Sequence, residues 1–562
     1  MKTLKFTNKI DWVMVDVFLQ HEDVWLCLPE DYLVIRKNID FATQLNYTLQ
    51  VFKNIKVNHW IVYLYNAVFS SLKENAFLSS EEAKQFAKCI AIKYDITLIS
   101  RDGKLVDGLN FIKDRFTDTY DKIDFSVIIQ TGNTLLPEGK KFRKLTVEDA
   151  AKGAQRYLNN RVIGRHFLDT ASTPIVGVGY EYKTDRNYRR SYGYGRAWNF
   201  KTAKQLADIE AVERYVSQFY AFEYNEISAK GSYRKLEDVS IEPQNFYLEK
   251  KTHLTKDTEL YWTKAQSIKT GKWVYIPEDL VYYSNDFYRQ NYLRAINDSS
   301  NGVALGGSYP EAMIGGLIEL IERHSFLAMW YGGIPRKQII NYSQFISQEM
   351  KEAINKLIEK QLNIDLFEIS FFKGVYVVWA LIRNFNSEAT MFSYSAAGAG
   401  FELGEAIEAA LLETIVGFSV QSNVHKKMPH DISRIVSLDD HVERYGDSSN
   451  QHSFDFINGF DKVVYKRENA SYRKHFNSQE DIVRFLYRIL LAELDDIYFA
   501  NLTSKELRSF NLYAVKAIVP GMFPMTFGED SQRVNLKQIN LMRRENGLPP
   551  INKLRKDPHP FP

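Results

Sequence analysis

The stretch Ser300-Asn301-Gly302-Val303-Ala304-Leu305-Gly306-Gly307-Ser308-Tyr309-Pro310-Glu311-Ala312 runs on to Glu319-Leu320-Ile321-Glu322-Arg323, and its reading decides the fold. Ser308-x-x-Glu311 is a capping-box pattern, and Pro310 is tolerated in a first turn, so a helix is predicted to start just after Ser308. At about 100° per residue, Glu311 and Glu322 fall within roughly 20° of each other, with Glu319 some 60–80° away. Three acids thus share one side over three turns, while Leu317, Leu320 and Ile321 cover another. Gly315 and Gly316 lie inside the helix, where each costs about 1 kcal/mol relative to Ala. That cost predicts close approach by another backbone or a ligand.

Two further stretches look alike. One begins Gly193-Tyr194-Gly195-Arg196-Ala197, continues through a capping-box pattern at Thr202-x-x-Gln205, and ends Glu210-Ala211-Val212-Glu213-Arg214. The other begins Gly398-Ala399-Gly400, and its Glu405, Ala406, Leu411, Glu413 and Ile415 match Glu311, Ala312, Leu317, Glu319 and Ile321 at identical spacing. It lacks the second Glu and the Arg, having Val416 and Gly417 there. A single Glu-x-x-Glu-Arg is most simply a solvated face with local ion pairs, and Glu311 alone is most simply a cap. Recurrence behind a Gly-rich segment and a capping box points instead to a ligand. Magnesium is a hard ion that takes oxygen ligands, so acids on two or three helices suit a magnesium–ATP complex, with Arg323 or Arg196 on phosphate oxygens.

Around these helices the chain reads as α+β (α/β). Residues 1–155 form a small α/β module, with strands predicted at 12–18, 24–28, 32–35 and 124–130 and a helix over 83–92 behind Ser79-x-x-Glu82. Residues 156–562 form the main domain, with a polar surface loop predicted over 431–480. Net charge is +3, which gives no basis for a nucleic-acid binder. The two cysteines, Cys27 and Cys89, make no disulfide framework, so a cytoplasmic setting is expected. The start shows no signal-peptide apolar core, and the apolar runs at 61–64 and 376–382 are too short to span a membrane. The 11 His residues show no metal spacing, and neither a phosphate-binding P-loop nor a dinucleotide glycine motif is evident.

The chain resembles the YcaO family. Ser300-Asn301-Gly302 through Glu319-Leu320-Ile321-Glu322-Arg323 resembles that family's central signature. Gly195-Arg196-Ala197 through Glu210-Ala211-Val212-Glu213-Arg214 resembles its first motif, with Arg196 where Lys is usual. Trp273-Val274-Tyr275-Ile276-Pro277 resembles the segment between them. The resemblance covers about 165–562 and implies an ATP-binding fold with acid-bearing helices against β-sheet. It implies Glu210, Glu213, Glu319 and Glu322 as magnesium ligands. Arg196, Arg214, Glu311 and Arg323 join these four acids as nucleotide-site residues. Two further motifs depart from the family pattern. Leu206 stands where a Ser is usual, and Val416 and Gly417 replace a Gln/Arg pattern, which would weaken nucleotide binding unless an Arg comes from elsewhere.

The chain ends Asp557-Pro558-His559-Pro560-Phe561-Pro562. Alternating prolines favour an extended polyproline II strand, by default a disordered tail. YcaO proteins that make azoline rings characteristically end so, which implies a tail that reaches back to the active site. Pro558, His559, Pro560 and Pro562 are therefore candidate catalytic-site residues, with His559 or the final carboxylate as proton acceptor. The resemblance implies ATP-dependent cyclodehydration of Cys, Ser or Thr residues in a ribosomal precursor peptide, by phosphorylation of the backbone amide oxygen. The substrate supplies the nucleophile, which fits the absence of any Cys after residue 89. It also implies a separate leader-binding partner, and a homodimer is expected. Thioamide or amidine formation, and a non-catalytic nucleotide-binding scaffold, are the alternatives.

Overall fold

The computed structural model describes residues 2–5, 24–27, 31–35 and 97–100, and then 123–561 apart from 137–141, 160–161, 169–173, 185–186, 219–227, 250–251, 284–293, 387, 425–431 and 474–475. The architecture is the expected mixture of helices and several sheets. Near the start, Lys2–Lys5, Val24–Cys27, Asp31–Ile35 and Thr97–Ser100 make a four-stranded sheet in that order, with the first pair parallel. This agrees with the strands predicted at 24–28 and 32–35; the predicted strand 12–18 and helix 83–92 lie outside the described residues.

The strand predicted at 124–130 is instead helix α1, Phe125–Thr131. Asp124 caps it by accepting the Val127 N–H at 3.1 Å. Phe125 and Ile129, one turn apart, bury together in the main core. β-branched composition favoured a strand, and the cap together with helical spacing of the buried pair overrides it. Helix α2, Val147–Asn159, crosses the division predicted between 155 and 156, and its Ala154, Tyr157 and Leu158 belong to a core of the main domain. The packed body therefore already includes the described residues between 123 and 159.

Three sheets build that body. One has three antiparallel strands, Ile163–Leu168, Val176–Thr184 and Asn187–Ala197. A six-stranded sheet contains Val303–Gly306 at one edge, next to Tyr513–Ile518. A five-stranded sheet has Ser393–Gly400 at its edge, beside the buried strand Tyr376–Asn384. From each of these sheets an edge strand leads, after two residues, into a long helix. Asn187–Ala197 leads into α3, Phe200–Gln218; Val303–Gly306 into α4, Tyr309–Gly332; Ser393–Gly400 into α5, Leu403–Val424.

Each helix folds back on its own strand at a distance only glycine permits. A Cβ on Gly195 would lie 1.8 Å from the Ala203 carbonyl, and one on Gly398 2.5 Å from that of Ala406. Gly316 in α4 meets the Gly302 carbonyl in the same way, at 2.5 Å, which is the backbone approach its position predicted. Each helix also packs on the strand of the next unit: α3 on Val303–Gly306, α4 on Ser393–Gly400, and α5 on Asn187–Ala197. The three units close on one another in a ring.

Helix α4 starts where predicted, with Ser308 accepting the Glu311 N–H at 3.3 Å. Helix α3 starts earlier than Thr202-x-x-Gln205 suggested, because Asn199 Oδ1 accepts the Thr202 N–H at 2.8 Å and so is the cap. Where the structure describes 431–480, the predicted surface loop is instead ordered structure. It includes helix α6, Leu438–Gly446, and the strand Asp461–Val463, and it buries Tyr445 and Phe454 in the main core.

Candidate active site

The ring places five carboxylates in succession. Glu210 on α3 accepts the Tyr194 N–H at 3.0 Å, from its own unit's strand. Glu319 on α4 accepts the Gly302 N–H at 2.8 Å in the equivalent way. Glu213 accepts the Leu305 N–H at 3.1 Å, from the next unit's strand. Burial pushes Glu213 up to about 8; Arg214 opposes this, while Glu319 and Glu210 add to it. Burial likewise pushes Glu322 up to about 7 against Arg323, with Glu413 and Glu319 adding to it. Glu413 on α5 thus belongs to the cluster.

The arginines are interleaved. Arg214 pairs with Glu210 at 3.0 Å and donates to Ser300 Oγ. Arg323 lies 3.9 Å from Glu319 and 3.7 Å from Glu322. Its buried Nε is the atom that faces Glu322, at an ion-pair distance too long for a hydrogen bond, and it makes no hydrogen bond among the described residues. The third helix lacks its own Arg, and the space at Gly417 is filled by the Tyr394 ring, which stands where a Cβ would fall. Arg196, at the end of the first unit's strand, reaches Glu413 at 3.6 Å. The cation missing from α5 comes from elsewhere in the ring. Leu206, the other departure, packs against the core.

Two acids that share the repeat spacing stand apart from the cluster. Glu311 precedes Glu319 by eight residues, about 12 Å along the axis. Its buried carboxylate accepts the Lys144 N–H at 2.7 Å. Glu405 is bound by Arg473 at 2.5 Å. Register on one helix face and height along it were legible from spacing; the partner opposite was not.

The tail docks inside the molecule. Trp330 Nε1 donates to the Asp557 carbonyl at 2.9 Å, Tyr445 donates to that of Pro558, and Ser395 Oγ donates to that of Pro560 at 3.5 Å. His441 donates from Nδ1 to the His559 carbonyl at 2.7 Å and accepts the Gly528 N–H on Nε2 at 3.0 Å. His559 donates from Nε2 to the Thr526 carbonyl at 2.9 Å. Phe561 is fully buried, 4.8 Å from the Phe326 ring, and lies 4.3 Å beneath the Arg323 guanidinium. The expected reach back to the acid cluster is therefore present. His559 is fully buried, which pushes its pKa well below the usual imidazole value; Nε2 is taken by Thr526, and Nδ1 has no hydrogen-bond partner among the described residues. Pro558, His559 and Pro560 anchor the segment, and Pro562 lies outside the described residues.

One group escaped the motif reading. Asp298 takes Lys516 and Arg533, each at 3.2 Å, and all three side chains are under 10% exposed. These residues are distant in sequence and fall in no periodic pattern, so only the fold assembles them.

The donor set fits magnesium and a nucleotide. It is all carboxylate oxygen, and the orphaned Arg323 Nε is a donor suited to a phosphate oxygen. Among the described residues no three carboxylates converge closely enough to chelate an ion alone. That suits an ion that keeps waters and binds through one or two carboxylates plus phosphate.

A fold with acid-bearing helices closed around arginines defines a magnesium- and ATP-binding enzyme. The model of the YcaO family, described as YcaO cyclodehydratase, ATP- and Mg2+-binding, matches residues 194–523, more than half of the 562-residue chain. The chain belongs to the YcaO cyclodehydratase family and is an ATP-dependent enzyme that closes rings with loss of water. Three solved structures share its fold. A heterocyclase in complex with substrate and cofactor has 15% identity and a TM-score of 0.65, over 100% of this chain and 81% of that one. The heterocyclase TruD has 13% identity and a TM-score of 0.53, over 100% and 79%. YcaO from Methanopyrus kandleri, bound with AMPPCP and Mg2+, has 19% identity and a TM-score of 0.51, over 70% and 95%. A comparison with curated proteins finds no match. Among the described residues no helix is long and apolar enough to cross a membrane.

Proposed function

We propose that this enzyme forms azolines in a ribosomal precursor peptide. A Cys, Ser or Thr side chain of the peptide attacks the carbonyl carbon of the preceding residue and loses its proton; the former amide oxygen takes the terminal phosphoryl group of ATP, releasing ADP, and then departs as phosphate as the amide nitrogen loses its proton, leaving a C=N bond in the ring. Bound ATP with Mg2+ supplies the phosphoryl group and neutralises charge as it transfers. Glu210, Glu213, Glu319 and Glu322 hold the magnesium. Arg323 Nε donates to phosphate oxygens, while Arg214 and Arg196 brace Glu210 and Glu413. The segment 558–561 sets the wall against which Arg323 is held. Catalysis is then mostly positioning and electrostatics.

The observation that carries this reading is Arg323. It has two acids beside it, an aromatic ring against its face, and a buried donor left over. Mixing the protein with ATP, Mg2+, its partner and a Cys/Ser/Thr-rich peptide, followed by mass measurement, tests it. Loss of water supports azoline formation. Exchange of sulfur for oxygen would instead mean thioamide formation, and unchanged mass with no phosphate release would remove the enzymatic reading.

A separate protein that binds the leader of the precursor peptide completes the proposal, with the region before residue 123 as its docking module or as a leader site of its own. A pull-down with leader peptide and candidate partner that retains neither would count against it. The setting is cytoplasmic, where precursor peptides are made and substrate thiols stay reduced. A homodimer is the expected assembly, read by light scattering.

A further inference from the structure

Residues 298–302 form the turn that leads from the preceding loop into the central acid unit. Two of its groups touch the site. Ser300 Oγ accepts from Arg214, and the Gly302 N–H donates to Glu319 at 2.8 Å. Gly302 has φ of +78°, and a Cβ there would meet the Ala517 carbonyl at 2.4 Å, so its conformation is set by the neighbouring strand. That strand, Tyr513–Ile518, grips both ends of the turn. The Ala517 N–H donates to the Gly302 carbonyl at 2.8 Å, and Lys516 Nζ donates to the Ser299 carbonyl at 2.9 Å.

Lys516 also binds Asp298 Oδ2, whose other oxygen is held by Arg533. Arg533 is engaged on the carbonyls of Phe246, Tyr247 and Asn297 as well. The arginine therefore clamps the start of the turn to the surrounding loops. The lysine ties the start of the turn to the strand whose Ala517 holds Gly302 at its end. Without the ammonium, the part-buried Ser299 carbonyl loses its donor and Asp298 loses one of its two cations, so the start of the turn is held less firmly. Ser300 and Gly302 would then shift against Arg214 and Glu319.

We propose that Lys516 is a positioning residue for magnesium–nucleotide binding: through Asp298 and the Ser299 carbonyl it holds the turn that aims Glu319 and Arg214. This rests on the reading of Glu319 as a magnesium ligand. The test is calorimetric titration of the full-length protein with AMPPCP over a series of Mg2+ concentrations, with no turnover involved. The variants are Lys516→Met, Lys516→Arg, Lys516→Met with Asp298→Asn, and Glu319→Gln. Lys516→Met should raise the Mg2+ concentration at half-saturation about tenfold or more, the loss typical of a residue that orients a metal ligand. Lys516→Arg should recover most of it. The double variant removes the Lys516–Asp298 pair as a unit and leaves Arg533 on its three backbone carbonyls, so it serves if the single variant does not fold, and the same rise is expected. A folded Lys516→Met or double variant with unchanged Mg2+ dependence, while Glu319→Gln loses it, overturns the proposal. Unchanged binding in Glu319→Gln overturns the underlying reading instead.

Discussion

The guanidinium of Arg323 stands 4.3 Å above the ring of Phe561, so residues separated by most of the catalytic domain share one contact at the acid cluster. A guanidinium stacked on a ring keeps its edge free for hydrogen bonds in its own plane, which is where the orphaned Nε lies. The tail therefore orients the guanidinium without competing for its edge.

Phe561→Ala should be costly in two separable ways. Phe561 is fully buried in the main core, so truncation should remove about 3–5 kcal/mol of stability by urea unfolding. Phe561→Leu should recover most of that stability but not the cation–π contact, worth about 0.5–2 kcal/mol. The Leu variant should therefore bind AMPPCP more weakly than wild type. Equal nucleotide affinity in the two would show that the ring does not orient Arg323.

Magnesium binding should release protons and strengthen as pH rises. Glu213 is pushed up to about 8 and Glu322 to about 7, so below those values both carboxyls hold protons that the ion must displace. Affinity should climb between about pH 6 and 8 and then level off. Calorimetry in buffers of different ionisation heat reads the released protons directly. The same shifts act on the metal-free fold with the opposite sense. Both groups are raised above their unfolded value of 4.5, so their contribution favours the fold at low pH and is lost as pH rises through 7 to 8. Added Mg2+ should offset that loss.

Acid should loosen the tail. Burial holds His441 near 4 and His324 near 3, both below the ordinary 6.5, so each favours the fold in its neutral form. That stabilisation is complete above pH 6.5 and is lost as pH falls toward 4 and 3. A charged His441 could no longer accept the Gly528 N–H while donating to the His559 carbonyl. Hydrogen exchange across 557–561, corrected for intrinsic rate, should therefore rise as pH drops below about 5. In His441→Phe, exchange should already be fast at neutral pH.

Gly316→Ala should damage the site from a distance. Its Cβ would sit 2.5 Å from the Gly302 carbonyl, so α4 and the strand must separate, at about 1–3 kcal/mol. Because the Gly302 N–H serves Glu319, Mg2+ affinity should fall along with melting temperature. A variant that melts lower but binds Mg2+ normally would show that the strand moves as a unit.

What the sequence alone determined is local in its physics. The cap at Ser308, the acid spacing on α4 and the glycine pair inside it depend on residues within a few turns of one another. They were readable because helix periodicity and backbone crowding are set at that range. The repeated motif likewise pointed to acid-bearing helices and to the family. Tertiary structure decided which acids share the site. Glu413 joins it through Arg196, while Glu311 and Glu405 are drawn off by Lys144 and Arg473. It also turned 124–130 into a helix, ordered 431–480 around the tail, and assembled Asp298, Lys516 and Arg533 from three distant segments. Spacing along one element fixes the direction a side chain faces, but the partner it meets is set by pairings across the whole chain.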